Sequence, residues 1–294
     1  MKKILALTIA ALMVLSLAAC GSKPAAEEAA PATEAATEEA AEEKAEIPTV
    51  TPGKLTVATS PDFAPYEFYA IDENGDPQLA GFDMAMAKYV ANELGLELEV
   101  VPMDFDGTIM ELSQGNVDMS LAGYSVTEER KEIMDFSIVY YSGDQALVTS
   151  KDFADKITKL EDANNSEYTV EAQVGSIQAD LMHENTPDAD CVEMVKVTDI
   201  IAEIINGKAQ AAFVEKCVAE SYAKQYPELV IVCDVPFETE GSAAGISKGN
   251  TALVEAVNAA LQKMLDSGEF DKAVAEANEL ASGEVYEGLL EDME

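Results

Sequence analysis

The chain has 294 residues, a formal net charge of −38 and a pI of about 4.1. This excess of carboxylates disfavours binding to nucleic acid and direct binding to anionic lipid, and it favours a small ligand or a protein partner. One histidine and four cysteines give no metal-ligand spacing, and neither a P-loop nor a GxGxxG fingerprint occurs. The sequence therefore predicts no metal, no cofactor and no catalytic residue.

Residues 1–19 have the features of a secretory signal peptide. Lys2 and Lys3 precede an apolar run over 4–17, which is shorter than the about 20 residues that a transmembrane helix needs. Cys20 directly follows a Leu-Ala-Ala run, and this arrangement resembles the lipobox of bacterial lipoproteins. The resemblance implies cleavage before Cys20, lipidation of its sulfur, and an extracytoplasmic protein anchored to the cell membrane by that lipid.

The segment 20–50 begins with Cys20 and is rich in alanine, glutamate, proline and threonine, with no aromatic residue. A segment of this composition cannot build a hydrophobic core. We predict a solvated acidic tether, with a root-mean-square span of about 30 Å as a flexible coil.

Strand and helix patterns alternate in the first half of the remaining chain. Residues 54–59 form a short extended run, residues 82–94 have helical apolar spacing, and residues 96–102 alternate as a strand does. A helix over 107–114 and a buried strand over 117–122 follow. This β-α-β-α-β order predicts parallel strands and half of an α/β domain.

A second α/β unit is predicted after an apolar stretch over 144–149, which we expect to cross from one lobe to the other. Its predicted strands cover 168–174, 191–197, 211–214 and 228–233, and its predicted helices cover 176–183, 199–206 and 219–224. We expect another small parallel sheet.

The last part of the chain is predicted to return to the first lobe with a strand over 244–247 and helices over 251–266 and 269–280. The predicted domains are lobe 1 over 51–148 and 242–283, lobe 2 over 149–241, and an acidic tail over 284–294. Two crossings predict a two-stranded hinge and a ligand cleft between the lobes.

Arg130 is the only arginine in a chain with seventeen lysines. Its planar guanidinium can hold a carboxylate with two parallel hydrogen bonds, which lysine cannot do. Ser125 and Glu128 fit a capping box, so Ser125 is expected to begin a helix whose N-terminus favours an anion, with Arg130 one turn inside it. The alternative interpretation is an ordinary helix cap beside an arginine in a surface salt bridge.

The second lobe offers a similar arrangement at residues 173–178 (QVGSIQ), where a strand ends, a glycine permits a turn and a helix begins. Glu215 follows the strand over 211–214, at the edge where open α/β sheets bind ligands. An acid there can pair with an ammonium group, and the alternative is a solvated glutamate.

Six motifs together resemble the polar amino acid-binding solute receptors of ABC importers, the family of the glutamine-binding protein. They are TSPDFAPYEF (59–68), GFD (81–83), PMDFDG (102–107), GYSVTEER (123–130), DFS (135–137) and YY (140–141). The resemblance covers 54–277. It implies an α/β protein with the two-lobed periplasmic binding protein fold, in which each lobe is a parallel-rich sheet flanked by helices.

The resemblance also implies a site for an L-amino acid. Arg130 and both helix starts are expected to hold the α-carboxylate, the Gly123 carbonyl and Glu215 the ammonium group, and two aromatic walls the side chain. The family usually has aspartate where this chain has Glu215. The implied ligand-binding residues are Ser60, Phe63, Phe105, Gly123, Tyr124, Ser125, Arg130, Ser176, Ile177, Gln178 and Glu215.

The predicted function is the capture of a polar or neutral, glutamine-like amino acid and its delivery to the transmembrane subunits of an ABC permease. The protein is expected to be a monomer and not an enzyme. Several relatives have aspartate at the position of Ser60, so the absence of that charge argues against a cationic amino acid as the best ligand.

Two other functions occur on this fold. One is a periplasmic cyclohexadienyl dehydratase for prephenate- or arogenate-type acids, in which Glu215 would be the general acid. The other is a sensory ligand-binding module, which normally continues into a transmembrane helix after the second lobe, whereas residues 284–294 here are acidic and polar.

Overall fold

The structure is a computed structural model, which describes residues 47–283 and the backbone of Val285–Tyr286. The predicted signal peptide, Cys20 and most of the predicted tether lie outside the described residues. Within the described part of the chain, no helix combines the length and apolar character needed to cross a membrane.

Fourteen strands and eight α-helices make up the described fold. The strands are β1 (Lys54–Thr59), β2 (Asp62–Phe63), β3 (Glu67–Ile71), β4 (Pro77–Ala80), β5 (Glu97–Pro102), β6 (Met119–Ser120), β7 (Met134–Phe136), β8 (Gln145–Ser150), β9 (Thr169–Gln173), β10 (Asp190–Met194), β11 (Ala211–Glu215), β12 (Leu229–Val235), β13 (Gly245–Ser247) and β14 (Val285–Tyr286). The helices are α1 (Phe82–Leu94), α2 (Phe105–Ser113), α3 (Glu128–Ile133), α4 (Ile177–Asn185), α5 (Val197–Ile205), α6 (Lys216–Gln225), α7 (Thr251–Asp266) and α8 (Glu269–Leu280), with a 3-10 turn at Leu160–Ala163.

The first lobe contains a five-stranded sheet in the order β5-β1-β6-β13-β7. β5, β1 and β6 are parallel, as predicted, and β13 runs antiparallel to its neighbours. Because side chains alternate along a strand, Val57 packs with Phe82 of α1 on one face while Ala58 packs with Phe105 of α2 on the other. Helices α1, α7 and α8 pack together on the first of these faces.

A small antiparallel sheet of β2, β3, β4 and β14 joins the first lobe, and the sequence patterns did not predict it. It ends at Gly81, whose φ of 117° lies in the region that favours glycine. A Cβ atom at Gly81 would collide with the carbonyl oxygen of Tyr66. Glycine therefore lets the start of α1 approach β3, and this contact brings Asp83 close to Glu67.

The second lobe contains a five-stranded sheet in the order β10-β9-β11-β8-β12. β10, β9 and β11 are parallel, but β8 and β12 are antiparallel to their neighbours. Because β11 and β12 are each antiparallel to β8, β12 runs in the same direction as β9, β10 and β11, and only β8 of this sheet runs the opposite way. The predicted parallel-rich sheet is confirmed. β8 enters this lobe directly from the first lobe, whereas helix α6 connects β11 to β12 and returns the chain in the same direction.

Two segments cross between the sheets, one from β7 to β8 and one from β12 to β13. They pair with each other: Tyr140 N donates to Ser242 O at 3.0 Å, and Ser242 N donates to Tyr141 O at 2.7 Å. This pairing forms the two-stranded connection of a hinge. The predicted two-lobed α/β fold is confirmed.

Most predicted elements are present with shifted ends. Helices α1, α7 and α8 have the predicted bounds. Residues 191–197 were expected to be one strand, but Val197 is already the first residue of α5. The backbone of Val285–Tyr286, within the predicted acidic tail, pairs antiparallel with β3.

Candidate functional site

A cavity lies between the lobes and is lined by residues of both. Its first-lobe lining is Ser60, Asp62, Phe63, Glu67, Phe105, Ala122, Gly123, Ser125 and Arg130, and its second-lobe lining is Gln173, Ser176, Ile177 and Gln178. Nine of the eleven predicted ligand-binding residues are among them. The two that do not line the cavity are Tyr124 and Glu215.

Arg130 is placed by the short helix α3. The predicted helix start at Ser125 is wrong, because the N-cap is Thr127, whose hydroxyl accepts a hydrogen bond from Arg130 N at 3.2 Å. Ser125 instead forms an isolated β-bridge with Ser242 of the hinge. This pairing keeps residue 125 extended and delays the helix to Glu128.

The Arg130 side chain is 8% exposed and makes no ion pair with any carboxylate of the described residues. Its guanidinium donates to Ser125 O and to Gly175 O, each at 3.2 Å, and lies over the rings of Phe105 and Tyr124. Burial lowers the pKa of Arg130 from its usual value. The alternative of a surface salt bridge is therefore wrong.

The second-lobe side of the cavity is the start of α4. Gly175 has a φ of 71°, and the Ser176 hydroxyl caps the helix by accepting a hydrogen bond from Ala179 N at 3.2 Å. Ile177 and Gln178 are the first residues of α4, where backbone N–H groups have no partner inside the helix. The predicted order of strand, glycine turn and helix is confirmed, and it lies directly against Arg130.

The cavity has an acidic end at Glu67, the first residue of β3. Glu67 is 0% exposed, and no N–H or O–H group donates to either of its carboxyl oxygens. Burial raises the pKa of Glu67 well above its usual range, and the nearby Asp83 raises it further. This carboxyl faces the cavity without a cationic partner from the described chain.

Asp62 lies beside this acidic end and joins the two lobes. Its carboxylate accepts hydrogen bonds from Ser60 Oγ at 3.0 Å, from Gln173 Nε2 at 3.1 Å and from Val197 N at 2.7 Å. Burial raises the pKa of Asp62 to about 6. Because two of these donors belong to the second lobe, the contacts exist only when the lobes are together.

The remaining predicted residues lie behind the cavity wall. Tyr124 is buried, its hydroxyl is bonded to Thr108 and Ser120, and its ring supports the Arg130 guanidinium. Glu215 is buried at the end of β11 and accepts a hydrogen bond from the Tyr66 hydroxyl of the first lobe. Burial raises the pKa of Glu215 to about 7.

Four lining residues were not predicted from the sequence: Asp62, Glu67, Ala122 and Gln173. Asp62 and Glu67 lie within the quoted 59–68 motif, and Gln173 begins the quoted 173–178 stretch. An acid between Tyr66 and Phe68 was the available indication, because a carboxylate inside an aromatic strand is seldom buried without a reason. Among the described residues, no group of His, Cys, Asp and Glu side chains is placed to hold a metal ion.

The family model of the bacterial extracellular solute-binding proteins, family 3, matches residues 55–277. The chain belongs to this family. The match spans both lobes and the crossings between them, and it confirms the resemblance seen in the motifs. The function of the family is to bind a solute, which agrees with a cavity placed between two lobes.

Curated and solved members of the family give closer comparisons. The chain is 34% identical over 276 residues to the arginine-binding extracellular protein ArtP of Bacillus subtilis, covering 92% of this chain and 96% of ArtP. It is 27% identical over 276 residues to the ABC transporter glutamine-binding protein GlnH of the same organism, with the same two coverages. The amino acid ABC transporter substrate-binding protein AbpA of Streptococcus pneumoniae, solved with L-arginine, superposes with a TM-score of 0.75 and 32% identity, covering 79% of this chain and 97% of AbpA.

Proposed function

We propose that this protein captures an L-amino acid with a cationic side chain, of the arginine type, outside the cytoplasm and delivers it to the permease of an ABC importer. The observation that carries the proposal is Glu67. Its carboxyl is completely buried, lines the cavity, and receives no hydrogen bond from an N–H or O–H donor. A buried acid is stabilised by a cation placed against it, and the ligand can supply that cation.

The cavity wall at Arg130 and the start of α4 suits the α-carboxylate. Arg130 is a buried cation without an ion pair in the described chain, and the unpartnered N–H groups at the start of α4 face the same space. A carboxylate between them would receive charged hydrogen bonds from both lobes. The Gly123 carbonyl is placed to accept from the ammonium group.

The aromatic part of the cavity wall suits a planar side chain. Phe63 and Phe105 line it, and a planar guanidinium or an amide can stack between aromatic rings. In the sequence, the absence of an acid at Ser60 disfavours a cationic ligand. Two acids further along the same loop and strand, Asp62 and Glu67, line this cavity and supply negative charge instead. A neutral, glutamine-like ligand remains the competing prediction.

Closure of the lobes would report that the ligand is bound. Hydrogen bonds that join the lobes around the cavity include those from Arg130 to Gly175 O, from Gln173 and Val197 N to Asp62, and from Tyr66 to Glu215. A ligand drives closure only if it binds the closed form more tightly than the open form. Contacts from α4 to the ligand carboxylate give that difference, and the closed surface is what a permease would recognise.

A calorimetric panel tests the proposal. L-Arginine, L-lysine, L-histidine, L-glutamine and L-citrulline are titrated into the purified protein, and thermal shift provides an independent readout. We expect arginine to bind more tightly than citrulline, which has similar length but no charge. At 100 times its Kd, a ligand should stabilise the protein by about 2.7 kcal/mol. Tighter binding of glutamine or citrulline would reject the cationic assignment, and no binding by any amino acid would reject the whole proposal.

The dehydratase alternative receives no support from the geometry. Its general acid would be Glu215, which does not line the cavity and is bonded to Tyr66. The family that the chain matches consists of solute-binding proteins. Incubation with prephenate and detection of phenylpyruvate would test the alternative directly, and we expect no turnover.

Membrane anchoring through Cys20 is part of the same proposal. The lipobox-like sequence before Cys20 supports it, since a cysteine with two or more acyl chains is held stably in a membrane. We expect the wild-type protein in the membrane fraction and Cys20→Ala in the soluble extracytoplasmic fraction. Equal distribution of the two proteins would reject the anchor without affecting the ligand assignment.

A further inference from the structure

Glu67 and Asp83 form a buried pair of carboxyl groups at the acidic end of the cavity. Glu67 begins β3 and Asp83 lies in the first turn of α1, and both are 0% exposed. None of the ion pairs among the described residues includes either carboxyl. The pair is therefore a concentration of negative charge without a compensating cation from the described chain.

The geometry of the pair requires a proton. Asp83 Oδ2 accepts from Tyr140 Oη at 3.1 Å and from Gly123 N at 3.4 Å, whereas Asp83 Oδ1 and both oxygens of Glu67 receive nothing from any N–H or O–H donor. Asp83 N donates to Tyr66 O at 2.9 Å, so Asp83 lies beside Glu67. Two neighbouring buried carboxyl groups without a cation are stable only if one of them is protonated. Since Asp83 already accepts two hydrogen bonds as an anion, the proton belongs on Glu67.

The surroundings favour this proton. The other ionisable groups that face the pair are Asp62 of β2, Glu215 of β11, and the phenols Tyr66, Tyr124 and Tyr140. Asp62 and Glu215 add negative charge, and the phenols are neutral because burial raises their pKa values. Burial and the neighbouring acids raise the pKa of Glu67 together. The negative charges of the neighbouring acids therefore favour the proton on Glu67, and the same charges would attract a cationic ligand.

We propose that a cationic ligand and the proton shared by Glu67 and Asp83 compete for one place, so that binding of the ligand side chain releases that proton to solvent. The inference rests on the proposed function. In the exchange, protonated Glu67 and ionised Asp83, with net charge −1, lose one proton and gain one singly charged ligand group. The buried pair becomes two carboxylates, and the net charge at this end becomes −1 again.

Asp83 acts in this exchange as a positioning residue. It does not line the cavity, and it acts through Glu67, because its negative charge favours the protonated form of Glu67 before the ligand binds. Without the charge of Asp83, Glu67 would be ionised more easily and the ligand would displace no proton. A role for Asp83 in folding alone would leave the count of released protons unchanged.

Calorimetry in buffers of different ionisation enthalpy counts the released proton. L-Arginine is titrated into wild-type protein at pH 6.5 in phosphate and in imidazole buffers, and Kd is measured from pH 5.5 to 8. We expect release of about one proton per arginine, and affinity that strengthens about tenfold per pH unit while the pair remains protonated. L-Citrulline is the matched ligand without charge, and its binding should release no proton. Arginine binding that is independent of buffer and of pH would overturn the inference while leaving the proposed function intact, and no amino acid binding would overturn both.

Three variants identify the source of the proton. Glu67→Gln and Asp83→Asn should each abolish proton release, and Asp83→Asn should still bind arginine because Glu67 keeps its charge. Glu171→Gln is the matched control: Glu171 is a buried acid of β9 whose pKa is raised to about 7, but it does not line the cavity. It should release the same number of protons as wild type. Normal proton release by a folded Glu67→Gln variant, with folding checked by circular dichroism, would assign the proton elsewhere and overturn the inference.

Discussion

Buried groups of opposite charge lie at this cavity, and their burial is compensated in different ways. The positive group is Arg130 and the negative group is Glu67, with Asp83 behind it, and each lacks an ion-pair partner among the described residues. A guanidinium cannot lose its proton under ordinary conditions, so Arg130 stays charged and uses carbonyl oxygens and aromatic rings as neighbours. A carboxyl can take up a proton, so the pair of Glu67 and Asp83 can partly neutralise its own charge.

This difference indicates whether Arg130 or Glu67 depends more on the ligand to compensate for its burial. Arg130 has no way to reduce its own charge, and a bound carboxylate is the partner that compensates for its burial. Glu67 has an alternative partner in the proton, so part of the attraction to a cation is offset by the cost of removing that proton. We therefore expect Arg130 to contribute more affinity, and Glu67 to contribute selectivity and pH dependence.

Replacement of Arg130 should have the largest effect. Arg130→Ala leaves the ligand carboxylate without its charged partner, and we expect a loss of about 2 to 5 kcal/mol in binding, as measured by calorimetry. Arg130→Lys is the matched control, because it keeps the charge but loses the planar fork, and it should recover only part of the affinity. Unchanged affinity in Arg130→Ala would show that the carboxylate binds elsewhere.

Replacement of Glu67 should have a smaller effect that depends on the ligand. Glu67→Gln removes the charge but keeps the size, and we expect arginine to lose about 1.5 to 3 kcal/mol while glutamine and citrulline lose little. Competition calorimetry with these three ligands measures the change in selectivity. An equal loss for charged and neutral ligands would mean that Glu67 supports the cavity wall without recognising the cation.

The unliganded protein should become less stable as pH rises from 5 to 8. Raised pKa values mean that the folded state binds more protons than the unfolded state in this range, so the free energy of unfolding falls by about 1.4 kcal/mol per pH unit for each such proton. Each kcal/mol corresponds to about 2 to 4 °C in Tm for a chain of this size. Asp62 and Glu215 act in the same direction, so Glu67→Gln should flatten the fall without abolishing it. A melting temperature that rises over this range in wild type would contradict the charge arrangement.

Local patterns predicted the elements whose ends are decided by nearby residues. Helix α1 ends at Gly95, which adopts a φ of 72° and offers its N–H to the last turn. Helix α7 begins after Asn250, whose side chain accepts from Leu253 N. These choices lie within a few residues of the helix ends, and the predicted bounds were correct.

Long-range contacts decided what the local patterns could not. Ser125 and Thr127 both offered a hydroxyl near the start of α3, and the distant pairing of Ser125 with Ser242 made Thr127 the cap. The direction of β8 and the placement of Glu67 at the cavity likewise depend on strand pairing between distant segments. The role of Arg130 could be predicted from the sequence because Arg130 is the only arginine of the chain. The role of Glu67 could not be predicted in this way, because Glu67 is one of 56 acidic residues.

Replacement of Lys131 should have the smallest effect, and it tests whether positive charge alone, without burial, contributes to ligand binding. It follows Arg130 in sequence but is 37% exposed, and it forms ion pairs with Glu128 at 2.9 Å and Glu240 at 2.8 Å. Water screens such pairs, so Lys131→Met should change stability by about 0 to 1 kcal/mol and leave amino acid affinity unchanged. Thermal melting and calorimetry on this variant, beside Arg130→Ala, compare two adjacent cations of which only one is buried. A comparable loss of affinity in both variants would mean that the general positive charge of this segment attracts the ligand, and the assignment of Arg130 as a specific carboxylate partner would be wrong.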